Sequence, residues 1–184
     1  MIYQQMKRKV LAMIEELNEN SAYLTDDPDI AAKIDEVTNQ CMFELARMKK
    51  CPQYVQLPVE AGDVIRFEDI AAAGAVYQLG SVSGVRYETR AAGTVLKILQ
   101  SGTAEIDYYA WPERITESNR DSYSFTLSPD ALEILPYGIA ADLLKSDVSA
   151  EYGSVYEKRY EALLSRMDPR YHTGMIQVEG GVDI

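Results

Sequence analysis

Apolar residues recur at helical spacing in four stretches of the chain, and alternate with polar ones in a block between the second and third. Met6, Val10, Leu11, Ile14 and Leu17 predict a helix over about Ile2–Asn18. Ile30, Ile34, Val37, Cys41, Leu45 and Met48 predict a second over about Asp27–Lys50. Its start is well marked: Asp27 can cap, Pro28 suits the first helical position, and Asp29 complements the positive end of the dipole. Arg47, Lys49 and Lys50 favour its other end, and Cys51-Pro52 stops it. Leu132, Leu135, Ile139, Leu143 and Leu144 predict a third helix over about Pro129–Lys145, with Ser128 as cap and Pro129 at the first position. Pro136 and Gly138 inside that pattern predict a kink or short break, kept for a packing reason. Tyr152, Val155, Tyr156, Tyr160, Leu163, Leu164 and Met167 predict the fourth over about Ala150–Met167, ended by Asp168-Pro169.

The block from Tyr54 to Leu127 reads as short strands. Tyr54–Val59, Val64–Phe67, Val76–Leu79, Val85–Glu88, Thr94–Leu99, Ala104–Tyr109 and Tyr123–Leu127 are separated by turn residues such as Glu60-Ala61-Gly62-Asp63. The best hairpin pairs Thr94–Leu99 with Ala104–Tyr109 across Gln100-Ser101-Gly102-Thr103. Such a series suggests a small antiparallel sandwich or open barrel. Neither pair of helices can bury its apolar face alone. The expected fold is therefore α+β: a four-helix bundle from residues 1–52 and 128–168, a β domain inserted over 53–127, and an extended arm over 169–184.

The formal net charge of −11 is spread along the chain and is not a detachable acidic tail. Sequence-independent clamping of nucleic acid needs a basic stripe, so that class is disfavoured, whereas a surface that repels DNA fits. With only two cysteines, Cys41 on a helical stripe and Cys51 just after it, a disulfide framework is not indicated. No run approaches the length of a membrane span, and no apolar stretch follows the basic Lys7-Arg8-Lys9. These features predict a soluble protein made inside the cell.

Catalytic patterns are missing. The single histidine, His172, falls in the C-terminal arm, where no rigid element would hold it. Three Cys and His residues without ligand spacing do not make a zinc site. Asp26, Asp27 and Asp29 lack the glycine and distal glutamate of a calcium loop and read as helix capping. Gly74, Gly80 and Gly84 lie between strands with no phosphate-loop pattern, and Glu105 and Asp107 stand as an unsupported carboxylate pair. No enzyme activity, cofactor or metal is expected.

Thirteen tyrosines against three phenylalanines point instead to contact surfaces, because the phenol serves wet and apolar neighbours at once. Tyr152, Tyr156 and Tyr160 form one row on the fourth helix and are candidates for a subunit contact, with half-buried core as the other reading. Tyr108, Tyr109 and Trp111 offer a candidate stacking cluster for a sugar or base, or packing against the helices. A carbohydrate- or host-binding β module on a helical scaffold is therefore the alternative function.

One combination resembles a known family. Leu24-Thr25-Asp26-Asp27-Pro28-Asp29-Ile30 opens a helix that ends in Arg47-Met48-Lys49-Lys50-Cys51-Pro52. Leu132 to Lys145, with Leu135-Pro136-Tyr137-Gly138 at its centre, is followed by a helix holding Tyr156-Glu157-Lys158-Arg159-Tyr160. This is similar to the head–tail connector, or neck adaptor, proteins of long-tailed bacteriophages. The resemblance implies a structural virion protein at the head–tail junction, made in the host cytoplasm. It implies like subunits in a ring beneath the portal protein, usually following its twelve-fold symmetry, with a tail-side neck or terminator protein on the other face. Genome DNA would pass through without specific binding. The C-terminal arm of such adaptors reaches out to grip the portal, which makes Tyr171, Met175, Ile176, Val178, Val182 and Ile184 candidate contact residues. The β insert departs from the plainest members of that family.

Overall fold

The computed structural model describes residues 1–17, 25–70, 75–145 and 150–167. It is a mixed α+β structure whose elements run α1 (Tyr3–Met13), α2 (Pro28–Arg47), β1 (Pro52–Val59), β2 (Val64–Arg66), α3 (Phe67–Ile70), β3 (Val76–Ser83), β4 (Tyr87–Arg90), β5 (Val95–Ile98), β6 (Gly102–Ala110), α4 (Pro129–Leu144) and α5 (Ala150–Met167). The expected arm and its six candidate residues, together with His172 and Gly74, lie outside the described residues.

The helices gather on α4, which packs against α1, α2 and α5. Ala131, Leu135, Ile139, Ala140 and Leu143 of α4 are buried, as are Val10 and Leu11 of α1 and Ile34, Met42 and Leu45 of α2. The two halves of the chain, separated by the β strands, thus close on each other. The expected break at Pro136 does not occur. Helix α4 runs through it without interruption, and burial of its apolar face outweighs the one backbone bond that proline cannot make.

Helix ends follow local chemistry. Asp27 caps α2 by accepting hydrogen bonds from the amides of Asp29 (2.8 Å) and Ile30 (3.2 Å). Ser128 occupies the corresponding place before α4, but its hydroxyl makes no cap bond. Both α1 and α2 are shorter than predicted. After α1 the amide of Glu16 donates to the Leu11 carbonyl (2.9 Å), and after α2 the amides of Lys49 and Lys50 donate to Ala46 and Leu45. These closures place Glu15 and Lys49 at φ 61° and 62°, a conformation usually given to glycine. Glu15→Gly is therefore expected to stabilise the fold by about 0.5–1 kcal/mol, read as a higher urea midpoint at an unchanged slope.

The strands form two three-stranded antiparallel sheets, ordered β1-β6-β3 and β2-β5-β4. The predicted hairpin is not formed: β5 and β6 belong to different sheets. The end of β5 is occupied on both sides, because Gly62 donates to the Ile98 carbonyl (2.9 Å), Ile98 donates to Asp63 (2.9 Å), and Leu99 donates to Arg86 (2.8 Å). No edge remains there for β6. Leu96 and Ile98 from one sheet, and Ala104 and Ile106 from the other, all enter one connected apolar core that also includes the helices. Phe67, expected to end a strand, instead begins the short α3, and the strand predicted at 85–88 lies at Tyr87–Arg90. At Gly84 (φ +80°) a Cβ would stand 2.2 Å from the Thr103 carbonyl oxygen, so only glycine fits that turn.

The predicted seventh strand is also revised. Tyr123, Phe125 and Leu127 are buried in alternation, but this segment pairs with neither sheet. It forms a single bridge, Ser124 to Ile2, at the start of α1. Residues 112–127 make a strap across the helices, held by Tyr3 donating to the Tyr123 carbonyl (2.9 Å) and Phe125 donating to Met1 (3.1 Å).

Candidate functional site

The tyrosine row of α5 divides into three environments. Tyr152 is 71% exposed, and Val155, one turn further on, is 62% exposed. Tyr156 is half-buried and its hydroxyl donates to the Met13 carbonyl, tying α5 to the end of α1. Tyr160 is only 9% exposed and lies inside the chain's own core. Tyr152 is thus the member of the row left open for a neighbour. Tyr160 packs into the chain's own core, the other reading of this row, and does not share one open face with Tyr152. The exposed Tyr152–Val155 pair was half legible: the stripe was visible, but which turn faces outward depends on where α4 sits.

Small residues let α5 lie close on α4. A Cβ at Gly138 would fall 2.9 Å from Cε2 of Tyr160, and one at Gly153 would fall 3.2 Å from Cβ of Leu144. This is the packing reason for a glycine in the middle of α4: it seats the Tyr160 ring. The foot of α5 is fixed by Lys50, whose ammonium donates to Asp130 (2.8 Å) and to the Met167 carbonyl (3.3 Å). Burial is the largest single influence on Asp130 and would raise its pKa, but the hydrogen bond and charge of Lys50 act together with the groups at the start of α4 to hold the carboxyl below its usual range.

Where α2, α4 and α5 meet, a groove of about 240 Å³ is lined by Cys41 and Glu44 of α2, by Ala141, Asp142 and Lys145 of α4, and by Tyr160, Glu161 and Leu164 of α5. Lys145 donates to Asp142 (2.6 Å) and faces Glu157 at 3.5 Å. The hydrogen bond to Asp142 raises the pKa of that ammonium. The Cys41 thiol points at Asp142 (3.7 Å); burial first, then the Asp142 and Glu44 charges, push its pKa well above the ordinary value and disfavour the thiolate. Both cysteines are free and buried.

The aromatic residues of the β unit do not share one surface. Tyr108 is buried, and Tyr109, its neighbour along β6, points to the opposite face of the strand. Lys49 of the α2 end sits 5.7 Å from the Tyr109 ring centre. Trp111 stacks on Phe43 of α2 (5.7 Å, 30°) and against Tyr77 of β3 (4.6 Å, 58°). It therefore bridges α2 and the β1-β6-β3 sheet. Tyr77 lies at a register shift between the Val76–Ala110 and Gln78–Tyr109 pairs, a bulge of the kind that re-aims a side chain. Glu105 and Asp107 are engaged by Ser83 (3.1 Å) and Ser81 (2.7 Å) on the outer face of the same sheet.

A buried polar link went unnoticed in the sequence. Asn39 of α2, 3% exposed, donates through Nδ2 to the Ile115 carbonyl (3.0 Å) and accepts from the Ile115 amide (2.8 Å). It pins the strap to α2. The signal was faint: an asparagine between the apolar positions of a helix reads as solvent-facing.

Among the described residues, no group of three or more His, Cys, Asp or Glu is placed to hold a metal ion, and no helix is long and apolar enough to cross a membrane. Comparison with protein-family models gives no match. Comparison with curated proteins gives none either.

Proposed function

We propose that the chain is a non-enzymatic structural protein of a bacteriophage virion, a subunit of the ring that joins the portal to the tail at the neck. The observation that carries this reading is the closure of the motif-bearing helices on one another. Helices α2 and α5 both pack on α4, and Lys50 locks the end of α5 to the ends of the other two. A rigid corner of this kind suits a protein that passes assembly contacts to whatever follows Met167. The exposed Tyr152 and Val155 offer a second, subunit-facing contact. Portal, tail-side neck or terminator protein and like subunits in a ring are the proposed partners, and the net charge of −11 suits a channel wall that must not hold DNA. The virion neck is the proposed location.

Deletion of residues 168–184 tests this reading. The shortened chain is expected to keep its helical circular dichroism and cooperative melting, since every core residue named above precedes residue 168. It is expected to fail to join particles assembled with portal protein, measured by sedimentation and native mass spectrometry. Normal incorporation of the shortened chain would refute the assigned role of Tyr171, Met175, Ile176, Val178, Val182 and Ile184.

A further inference from the structure

The groove between α2, α4 and α5 contains an unmet hydrogen-bonding group. The Tyr160 hydroxyl is buried and has no partner among the described residues. Its ring enters from α5 over Gly138, and its pKa is raised by burial and then by Cys41, Glu44 and Asp142. Cys41, Glu44 and Asp142 line the groove together with Tyr160 itself, which places the phenol at its inner wall. An orphaned buried hydroxyl costs stability unless something else satisfies it.

The surrounding charge defines what that something is. Four carboxylates line the groove, those of Glu44, Asp142, Glu157 and Glu161, against one cation, Lys145. Lys145 engages Asp142 and Glu157. Glu44 and Glu161 have no hydrogen-bond or ion-pair partner among the described residues. Between the charged groups, Ala141, Cys41 and Leu164 give an apolar wall. A cationic head with an aliphatic stem matches this arrangement.

We infer that this groove is a docking site for an arginine side chain presented by another protein chain, with the guanidinium held by Glu44 and Glu161 and donating to the Tyr160 hydroxyl. Arginine fits this arrangement better than lysine. A planar fork can give two N–H bonds to a carboxylate and still offer another to the phenol oxygen, and it loses less hydration than an ammonium on entering. The groove already holds one ammonium, that of Lys145, which leaves the phenol unmet.

The inference stands apart from the virion reading, because its test uses a small amide and the full-length chain alone. The chain is labelled with carbon-13 at the tyrosine Cζ, and Tyr160→Phe identifies the Tyr160 signal. Titration with N-acetyl-arginine methylamide is expected to shift that signal saturably with a Kd of about 1–20 mM, the range for one anchoring side chain. N-acetyl-lysine methylamide is expected to bind roughly tenfold more weakly. Glu44→Gln with Glu161→Gln is expected to weaken the arginine amide by about fivefold or more. Tyr160→Phe, which removes the reporting signal itself, is expected to leave the melting temperature unchanged or higher, since it removes an orphaned group. A shift that never saturates, that lysine reproduces equally, or that survives both glutamate substitutions overturns the inference and leaves a cleft that holds only water. None of these results bears on incorporation of the shortened chain into particles.

Discussion

Gly138→Val is expected to destabilise the protein by about 2–3 kcal/mol and to loosen α5 from α4. The position is buried within α4, where a valine also loses side-chain freedom. Its first carbon alone would meet Cε2, Cζ and Cδ2 of Tyr160 at 2.9, 3.0 and 3.2 Å. Those are ring atoms of a side chain that is 9% exposed, so the ring has little room to retreat. Relief therefore has to come from α5 itself, by moving the helix outward. Gly138→Ala is a milder case, in which a gain in helix propensity of about 1 kcal/mol opposes the same contact. Adding Tyr160→Leu to Gly138→Val removes the ring and is expected to recover much of the loss. The measurement is urea unfolding of the three variants. A Gly138→Val protein that unfolds like the parent, or a double variant no better than the single one, would show that the glycine does not seat the ring.

The same contact shows which parts of the fold were legible. Helix α5 is described over Ala150–Met167, the span that its apolar spacing predicts. The ends of α1 and α2 were overrun because Glu15 and Lys49 take the left-handed closing conformation without the glycine that usually announces it. Six of the seven expected strands form, but their partners were not legible. Pairing of β5 with β6 looked favourable as a local hairpin, yet the edges of β5 were already filled by backbone groups near Gly62 and Arg86. Competition of that kind is non-local and leaves no trace in a turn motif. The alternation of Tyr123, Phe125 and Leu127 correctly marked an extended segment with one buried face. It could not reveal that the buried face lies on helices.

The candidate sites divide in the same way. A helical row of Tyr152, Tyr156 and Tyr160 is visible as spacing, but its three members sit at increasing depth as α5 runs along α4, from exposed through half-buried to core. The acidic groove is hidden in the sequence because Glu44, Asp142 and Glu161 come from three separate helices. Each alone reads as an ordinary solvated charge. Trp111 was legible only as a member of a cluster that could stack a ligand or pack against the helices, and its contacts with Phe43 and Tyr77 show the packing. It fixes the β unit against α2, so the sheets and the helices share one core.

Asn39→Leu is expected to cost about 2–5 kcal/mol, more than its surroundings in α2 would suggest. Leucine branches at the same carbon but is bulkier, and methyls in place of the two polar atoms would also crowd the Ile115 backbone. What is lost is chemical. The Ile115 amide and carbonyl, now served by Asn39 at 2.8 and 3.0 Å, would both be buried without a partner. Each orphaned group costs about 1–3 kcal/mol, and leucine offers neither a donor nor an acceptor. Asn39→Ala is expected to be less severe, because the space vacated is large enough to admit water to the same two groups. Hydrogen exchange gives an independent reading: the Ile115 amide should exchange faster in both variants, while amides in the middle of α4 should change only by the global loss of stability. If Asn39→Leu costs less than about 1 kcal/mol, or alanine proves the worse of the two, the strap over residues 112–127 is held to α2 by apolar contact through Ile115, Tyr123 and Phe125 rather than by this pair of bonds.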